Sequence, residues 1–136
     1  MSGPFGTFDI ASSGLNFSRF WLDTISHNIA NVNTVTRGDE EGFKASFVVA
    51  AEAKGTGDSV GEGVRVAAVV QNPGEAPKVF DPTNPLADEN GYVTRPLVDL
   101  GDQMVDMIVA NRSYQLNIQM VQTARELYEQ ALRIGR

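Results

Sequence analysis

Apolar residues near the start of the chain recur with the seven-residue spacing of a helix that packs against another helix. The residues in this series are Phe8, Leu15, Leu22 and Ile29, with Ala11, Ser18 and Ile25 at the companion positions. Two such positions in every heptad form a narrow apolar seam along one helix face. The pattern predicts a helix over residues 8–31, with Thr7 as its N-cap and turn-forming asparagines at its end.

A second series with the same spacing occupies the end of the chain. Its members are Met107, Tyr114, Val121 and Tyr128, with Ala110, Asn117, Ala124 and Ala131 at the companion positions. This series predicts one long helix over residues 100–134, with Asp99 as its N-cap. Asn117 is the polar member of the second row. It either fixes the register of a helix pair or points to solvent at the edge of the seam.

The residues between the two helices follow a different pattern. Apolar and polar residues alternate over 43–51 and again over 64–70, which predicts two half-buried strands. The glycine-rich run 54–63 between them predicts a flexible connection, and Asn90-Gly91 predicts a tight turn. The expected fold is mainly α with a small β element. Two long terminal helices pair as in a coiled coil, and a central antiparallel β and loop region projects sideways.

The predicted helices are long for so short a chain. A helix over 100–134 would extend on the order of 50 Å, whereas a compact chain of this size measures roughly 35–40 Å across. Part of its apolar seam would therefore face water in a lone chain, at about 25 cal/mol per Å². We predict a terminal helical core of residues 1–34 and 99–136, a central region of residues 35–98, and coverage of the seam by other subunits.

The seam and the asparagines at the end of the first helix are the candidate assembly residues. They are Phe8, Leu15, Leu22, Ile25, Asn28, Ile29, Asn31, Met107, Ala110, Tyr114, Asn117, Val121, Ala124 and Tyr128.

Composition narrows the classes of function that remain. The chain has 136 residues, enough for one domain with a modest core, and its formal net charge of −6 argues against nucleic-acid binding by a basic surface. It contains no cysteine, which excludes disulfides and thiolate chemistry. The first residues lack a basic segment followed by an apolar stretch, so we expect no cleavable secretory signal. No apolar run is long enough to predict insertion into a membrane.

No combination of residues predicts catalysis, a metal site or a cofactor. His27 is the only histidine and lacks a second ligand at helical spacing. Asp81, Asp88 and Glu89 could bind a hard cation in principle, but turn formation explains their spacing better. The acidic run at residues 38–41 is typical of a solvated loop, and its role stays open. We therefore expect a protein that is not an enzyme.

Four segments resemble one family. Residues 22–34, LDTISHNIANVNT, are similar to the signature I-S-x-N-I-A-N-x-N-T shared by flagellar rod, hook and hook-associated proteins, and Gly42-Phe43-Lys44 resembles the step that follows it. Residues 79–93, VFDPTNPLADENGYV, and residues 104–115, MVDMIVANRSYQ, resemble segments of the proximal rod proteins in that family. The likeness covers nearly the whole chain, but His27 and Asn84 depart from the usual asparagine and histidine.

The resemblance implies a function and a set of partners. Members of the family are structural subunits of the bacterial flagellar basal body, here the proximal rod, which transmits torque from the motor base to the distal rod and hook. They leave the cell through the flagellar type III export apparatus without a cleaved signal. They polymerise helically through their terminal helices with copies of themselves and with other rod proteins.

Three other interpretations compete with this one. The chain could be another short rod subunit of the same family, although residues 81–93 argue against that. A generic coiled-coil interaction module would explain the heptads, but it would not explain the asparagine-rich signature. A small hydrolase that uses loop carboxylates lacks an acid and a base placed together by secondary structure.

Overall fold

The computed structural model describes residues 4–53 and 61–135 of the chain. Within these ranges, two helices lie toward the ends of the sequence and five strands lie between them. In chain order the elements are α1 (Pro4–Ala30), β1 (Thr36–Arg37), β2 (Ser46–Glu52), β3 (Val64–Gln71), β4 (Lys78–Phe80), β5 (Tyr92–Thr94) and α2 (Leu100–Ile134). This arrangement confirms the predicted fold class, a mainly helical chain with a small β element.

The ends of the helices agree with the predicted ends at three positions out of four. α1 starts at Pro4, so Thr7 lies inside the helix and its prediction as the N-cap is wrong. Proline suits this first position because it lacks the N–H that would be unpaired there. At the other end, Asn31 Nδ2 donates to the carbonyl of His27 at 2.9 Å. Asp99 is the N-cap of α2, where Asp99 Oδ1 accepts from the backbone N–H of Asp102 at 3.1 Å.

The strands form two small sheets. β5 pairs antiparallel with β1 on one side and with β4 on the other. β2 pairs with β3, and backbone hydrogen bonds from Ala53 to Gly63 and from Asn72 to Ala45 flank this pair.

The predicted strand over 64–70 is confirmed, and the strand predicted over 43–51 is displaced to Ser46–Glu52. Gly91, at the predicted turn before β5, has a φ of 80°, a conformation that glycine adopts without strain. Of the predicted flexible connection at 54–63, residues 54–60 lie outside the described residues.

The chain divides into two compact units. One contains Met1–Leu22, Val49–Ala68 and Ile108–Arg136, and the other contains Asp23–Val48 and Val69–Met107. We call them the first and the second unit. Ala11, Ser18 and Ala110 are buried in the first unit, and Ile25, Ala45 and Val93 are buried in the second. The division into a terminal core and a central region that the sequence predicts stays a prediction.

Gly38 of the second unit occupies a position that admits no side chain. A Cβ on Gly38 would collide with the backbone carbonyl of Tyr92, and it would lie 2.8 Å from Cγ of Asp88. The carbonyl belongs to the β1–β5 sheet and cannot rotate away.

We expect Gly38→Ala to lower the free energy of unfolding by roughly 2 kcal/mol, because the sheet must shift to accept the methyl group. Urea denaturation of the purified protein measures the change. Gly101→Ala is the control, since a Cβ there meets only Asp99 Oδ1 at 3.2 Å. Equal stability of the two variants would contradict the prediction.

Candidate assembly surface

Small residues bring α1 and α2 close together in the first unit. Ser18 of α1 and Ser113 of α2 share a hydrogen bond between their hydroxyls at 3.1 Å. One turn earlier in α1, a Cβ built on Gly14 would lie 2.7 Å from Oδ1 of Asn117. Residue numbers rise along α1 as they fall along α2, so the two helices pack antiparallel here.

Asn117 lies inside the seam. Its side chain is half-buried opposite Gly14, and its Nδ2 donates to the carbonyl of Ser113 at 3.0 Å. Because the side chain is half-buried and this hydrogen bond stays within α2, a role of Asn117 in fixing the register stays a prediction.

The structure places most of the predicted assembly residues within the fold of the single chain. Ile25, Asn28 and Ala110 are buried, and Tyr128 is exposed at 38%. The half-buried members are Phe8, Leu15, Leu22, Ile29, Asn31, Met107, Tyr114, Asn117, Val121 and Ala124. A role in contacts with other subunits stays a prediction for each of these residues.

α2 carries a second apolar stripe in the first unit. Its members are exposed at 49–60%: Val109, Leu116, Met120 and Leu127. Their spacing of seven, four and seven residues places them on one helix face, which differs from the face that carries Ala110 and Asn117. We call these four residues the outer stripe. Sequence reasoning missed it, although the repeated seven-residue interval is visible in the sequence.

A shallow groove of about 830 Å³ runs beside the outer stripe. Leu116, Met120 and Leu127 line it together with Ala124 and Tyr128, so its surface is mainly apolar. An apolar helix face with a groove beside it is the usual receiving surface for another helix. In the second unit, Met104 and Val105 of α2 are also exposed, at 57% and 60%.

The acidic loop between β4 and β5 is organised by its own hydrogen bonds. Asp81 accepts from the side chains of Thr83 and Asn84 at 2.9 and 3.4 Å. Asp88 Oδ1 accepts from the backbone N–H groups of Asn90 and Tyr92 at 2.9 and 2.8 Å. These carboxylates therefore stabilise turns. Within residues 4–53 and 61–135, no three histidine or acidic side chains come together as a metal site would require.

The same hydrogen bonds give the loop a dependence on pH. Donation from Thr83 and then from Asn84 lowers the pKa of Asp81 below its ordinary value of 3.8. Because the pKa in the folded chain lies below the unfolded value, this stabilisation is present above about pH 4 and is lost as the pH falls through the folded pKa.

We expect the stability of the wild-type chain to decline below about pH 4 more steeply than that of Asp81→Asn, which lacks this titration. Thermal unfolding at several pH values between about 6 and 3 measures the two slopes. Identical slopes would show that Asp81 has the same pKa in the folded and unfolded states.

The ring of His27 contacts an aromatic side chain. His27 lies edge-on to Phe43, with ring centroids 5.4 Å apart, so its ring packs against an aromatic side chain.

Among the residues that the structure describes, neither helix combines the length and the hydropathy needed to cross a membrane.

Known proteins resemble the chain at both helices and along nearly its whole length. The family model described as "Flagella basal body rod protein" matches residues 8–36, and that described as "Flagellar basal body rod FlgEFG protein C-terminal" matches residues 89–134. The flagellar basal-body rod protein FlgC of Yersinia enterocolitica is 41% identical over 128 residues, which cover 94% of this chain and 95% of that protein. The chain belongs to the FlgC family of flagellar basal-body rod proteins.

Other FlgC relatives are more distant but equally complete. The protein of Salmonella typhimurium strain LT2 is 38% identical over 94% of this chain and 95% of its own length. The protein of Borreliella burgdorferi is 32% identical, and the match covers 97% of each chain. These relatives confirm the family that the asparagine-rich signature indicated.

Proposed function

We propose that the chain is a structural subunit of the flagellar proximal rod, that it polymerises helically through its helices, and that it transmits torque to the distal rod and hook. Its relatives of matching length are FlgC proteins. A generic coiled-coil module, the alternative from the sequence, would have no reason to match a rod family at both ends of the chain.

The observation that carries the proposal is the outer stripe on α2. Leu116 and Leu127 are exposed at 56% and 60%, and a soluble monomer rarely leaves large apolar side chains in such a row. Removing this face from water stabilises an assembly by about 25 cal/mol for each Å² of apolar surface that is buried. The occupant we propose is a terminal helix of a neighbouring subunit.

The arrangement suits a filament. The seam residue Ala110 is buried within the chain, whereas the outer stripe is exposed and stays available to a neighbour. A contact between two different surfaces of identical subunits repeats without closing, and such contacts generate helical filaments. Torque then passes through packed helices, which resist compression because protein interiors are close-packed.

The partners and the location follow from this role. We propose that the subunit contacts copies of itself and other rod proteins in the basal body, within the cell envelope. We further propose that it reaches that site through the flagellar type III export apparatus without a cleaved signal. A mechanical role of this kind needs no catalysis, nucleic acid, cofactor or membrane insertion.

Deletion of the gene in its own bacterium tests the proposed function. We expect cells without flagellar filaments and without motility, and a plasmid copy should restore both. Basal bodies extracted from the restored cells should contain the chain. Deleted cells that still swim, or basal bodies that lack the chain in swimming cells, would contradict the proposal.

A further inference from the structure

The turn between β4 and β5, in the second unit, contains the only asparagine of the chain that is followed by glycine. Asn90 is exposed at this turn, and Gly91 after it has a φ of 80°. Asparagine is among the chemically labile residues. Because glycine has no side chain, its backbone nitrogen can come closer to the preceding carboxamide than the nitrogen of any other residue can. Asn90 is therefore the asparagine of this sequence that is most open to deamidation.

Deamidation at this pair is a reaction of the chain with itself and then with water. The Gly91 nitrogen loses its proton and attacks Cγ of Asn90, so the bond from N to Cγ forms and the bond from Cγ to Nδ2 breaks. Ammonia leaves with the proton, and a cyclic succinimide remains. Water then opens the ring at one of its two carbon–nitrogen bonds. The product is aspartate if the bond to Cγ breaks, and isoaspartate if the bond to the backbone carbonyl carbon breaks.

In the folded turn, hydrogen bonds hold the attacking residue in place. The Gly91 N–H donates to the backbone carbonyl of Asp88 at 3.0 Å, and this bond closes the turn. Loss of the proton, the first step of the reaction, would break the bond, and hydrogen bonding to the protonated form favours that form. The Gly91 carbonyl is held as well, because it accepts from the N–H of Asp81 at 2.9 Å.

The carboxylate of Asp88 fixes the backbone on both sides of the same nitrogen. Its Oδ1 accepts from the N–H of Asn90 at 2.9 Å and from the N–H of Tyr92 at 2.8 Å. Hydrogen bonds to an ionised acceptor are roughly twice as strong as those between neutral groups. Ring closure requires the Gly91 nitrogen to turn toward Cβ of Asn90 about the Cα–C bond of that residue. The bonds to Asp88 oppose this rotation.

We propose that Asn90 is a deamidation site and that Asp88 restrains it, so that the reaction proceeds only while the turn between β4 and β5 is open. Asp88 is a positioning residue here. The reaction depends on the turn alone, so it does not rest on the proposed function. Isoaspartate places one additional carbon in the backbone after residue 90. Tyr92 then loses its position opposite Phe80 in β5, the central strand of its sheet.

Peptide mapping by mass spectrometry measures the reaction at Asn90, because conversion of an amide into an acid changes the mass of the peptide. The full-length protein is incubated at mildly alkaline pH, either folded in buffer or unfolded in guanidinium chloride. We expect deamidation of the folded chain to be slower by at least about ten-fold, since only molecules with an open turn react. Equal rates in the two states would overturn the proposal, and this comparison needs no variant.

Variants of the loop test the part assigned to Asp88. Asp88→Ala removes the carboxylate acceptor and should speed the reaction of the folded chain by about ten-fold. Asp88→Asn keeps an oxygen that can accept from the same N–H groups, and it should react at close to the wild-type rate.

Glu89→Ala is the matched control, because it removes an exposed carboxylate next to Asn90 and so reports any effect of charge alone. Circular dichroism shows whether each variant is folded. A folded Asp88→Ala that reacts no faster than Glu89→Ala would overturn the role of Asp88. If Asp88→Ala does not fold, Asp88→Asn decides, since a folded Asp88→Asn that reacts as fast as the unfolded chain would overturn it too.

Discussion

Replacing Leu116 by aspartate is expected to leave the free chain folded and to abolish its incorporation into rods. Leu116 is 56% exposed and lies at the centre of the outer stripe. In the free chain the new carboxylate stays hydrated, and a surface substitution of this kind changes stability by roughly 0.5 kcal/mol or less. In an assembly it would be buried without a partner.

The size of the expected effect follows from desolvation. A charge enclosed in an interface without a partner costs at least about 3 kcal/mol, which lowers the affinity of each contact by more than a hundred-fold. A rod repeats the contact in every subunit, so growth should stop at the first variant subunit. Basal bodies from cells that carry only Leu116→Asp should lack the chain, and the cells should not swim.

Gln122→Asp is the matched control for this variant. Gln122 is exposed on α2 in the same unit, but it lies on a different face from the outer stripe. Gln122→Asp introduces the same charge into the same helix as Leu116→Asp does, and we expect cells with Gln122→Asp to build normal rods. Swimming cells with Leu116→Asp would show that the outer stripe is not an assembly surface. Equal loss of function in both variants would point to an effect of charge on export.

The helices were predictable because their signals are repeated. Seven seam positions in α1 and eight in α2 specify the same face turn after turn, so single polar exceptions do not hide the pattern. The N-cap of α2 was predictable from one residue because aspartate has few other reasons to precede a helix. The N-terminus of α1 was not predictable, since Pro4 and Thr7 are both acceptable at the start of a helix and the apolar pattern begins only after them.

Short strands and long-range polar pairs carry no periodic signal. β1 and β5 contain two and three residues, too few to show alternation, and the strands form because each finds a partner elsewhere in the chain. Likewise, Asn28 could be named as a candidate from its motif. Its hydrogen-bond partner Gln103 lies 75 positions away and precedes the first apolar seam residue of α2, so sequence spacing could not pair them.

The last prediction concerns the end of α2, where contacts within the chain become sparse. Ala110 is fully buried, whereas Leu132 and Ile134 are 56% and 85% exposed. Isolated helical turns are marginal in water, and most helix stability in proteins comes from packing. We therefore expect the last two turns of α2 to open and close locally in the free chain, while residues 110–117 open only with the unit as a whole.

Hydrogen exchange on the dilute protein measures this difference residue by residue. Amides in residues 110–117 should be protected more strongly than those in residues 128–134 by roughly a thousand-fold, since local opening costs little and global unfolding costs at least about 5 kcal/mol. Leu132→Ala serves as the internal control. It should leave the protection of residues 110–117 unchanged, because a frayed end contributes nothing to their stability.

Assembly should remove the difference in hydrogen-exchange protection between residues 110–117 and residues 128–134. If neighbouring subunits cover the end of α2, amides in residues 128–134 gain protection in isolated rods, and the ordering of those turns is part of the free energy of polymerisation. A subunit whose final turns order only on contact cannot pair there before it meets a neighbouring subunit. Strong and uniform protection from Ala110 to Ile134 in the free chain would contradict this, because the exposed turns would then be stable without any partner.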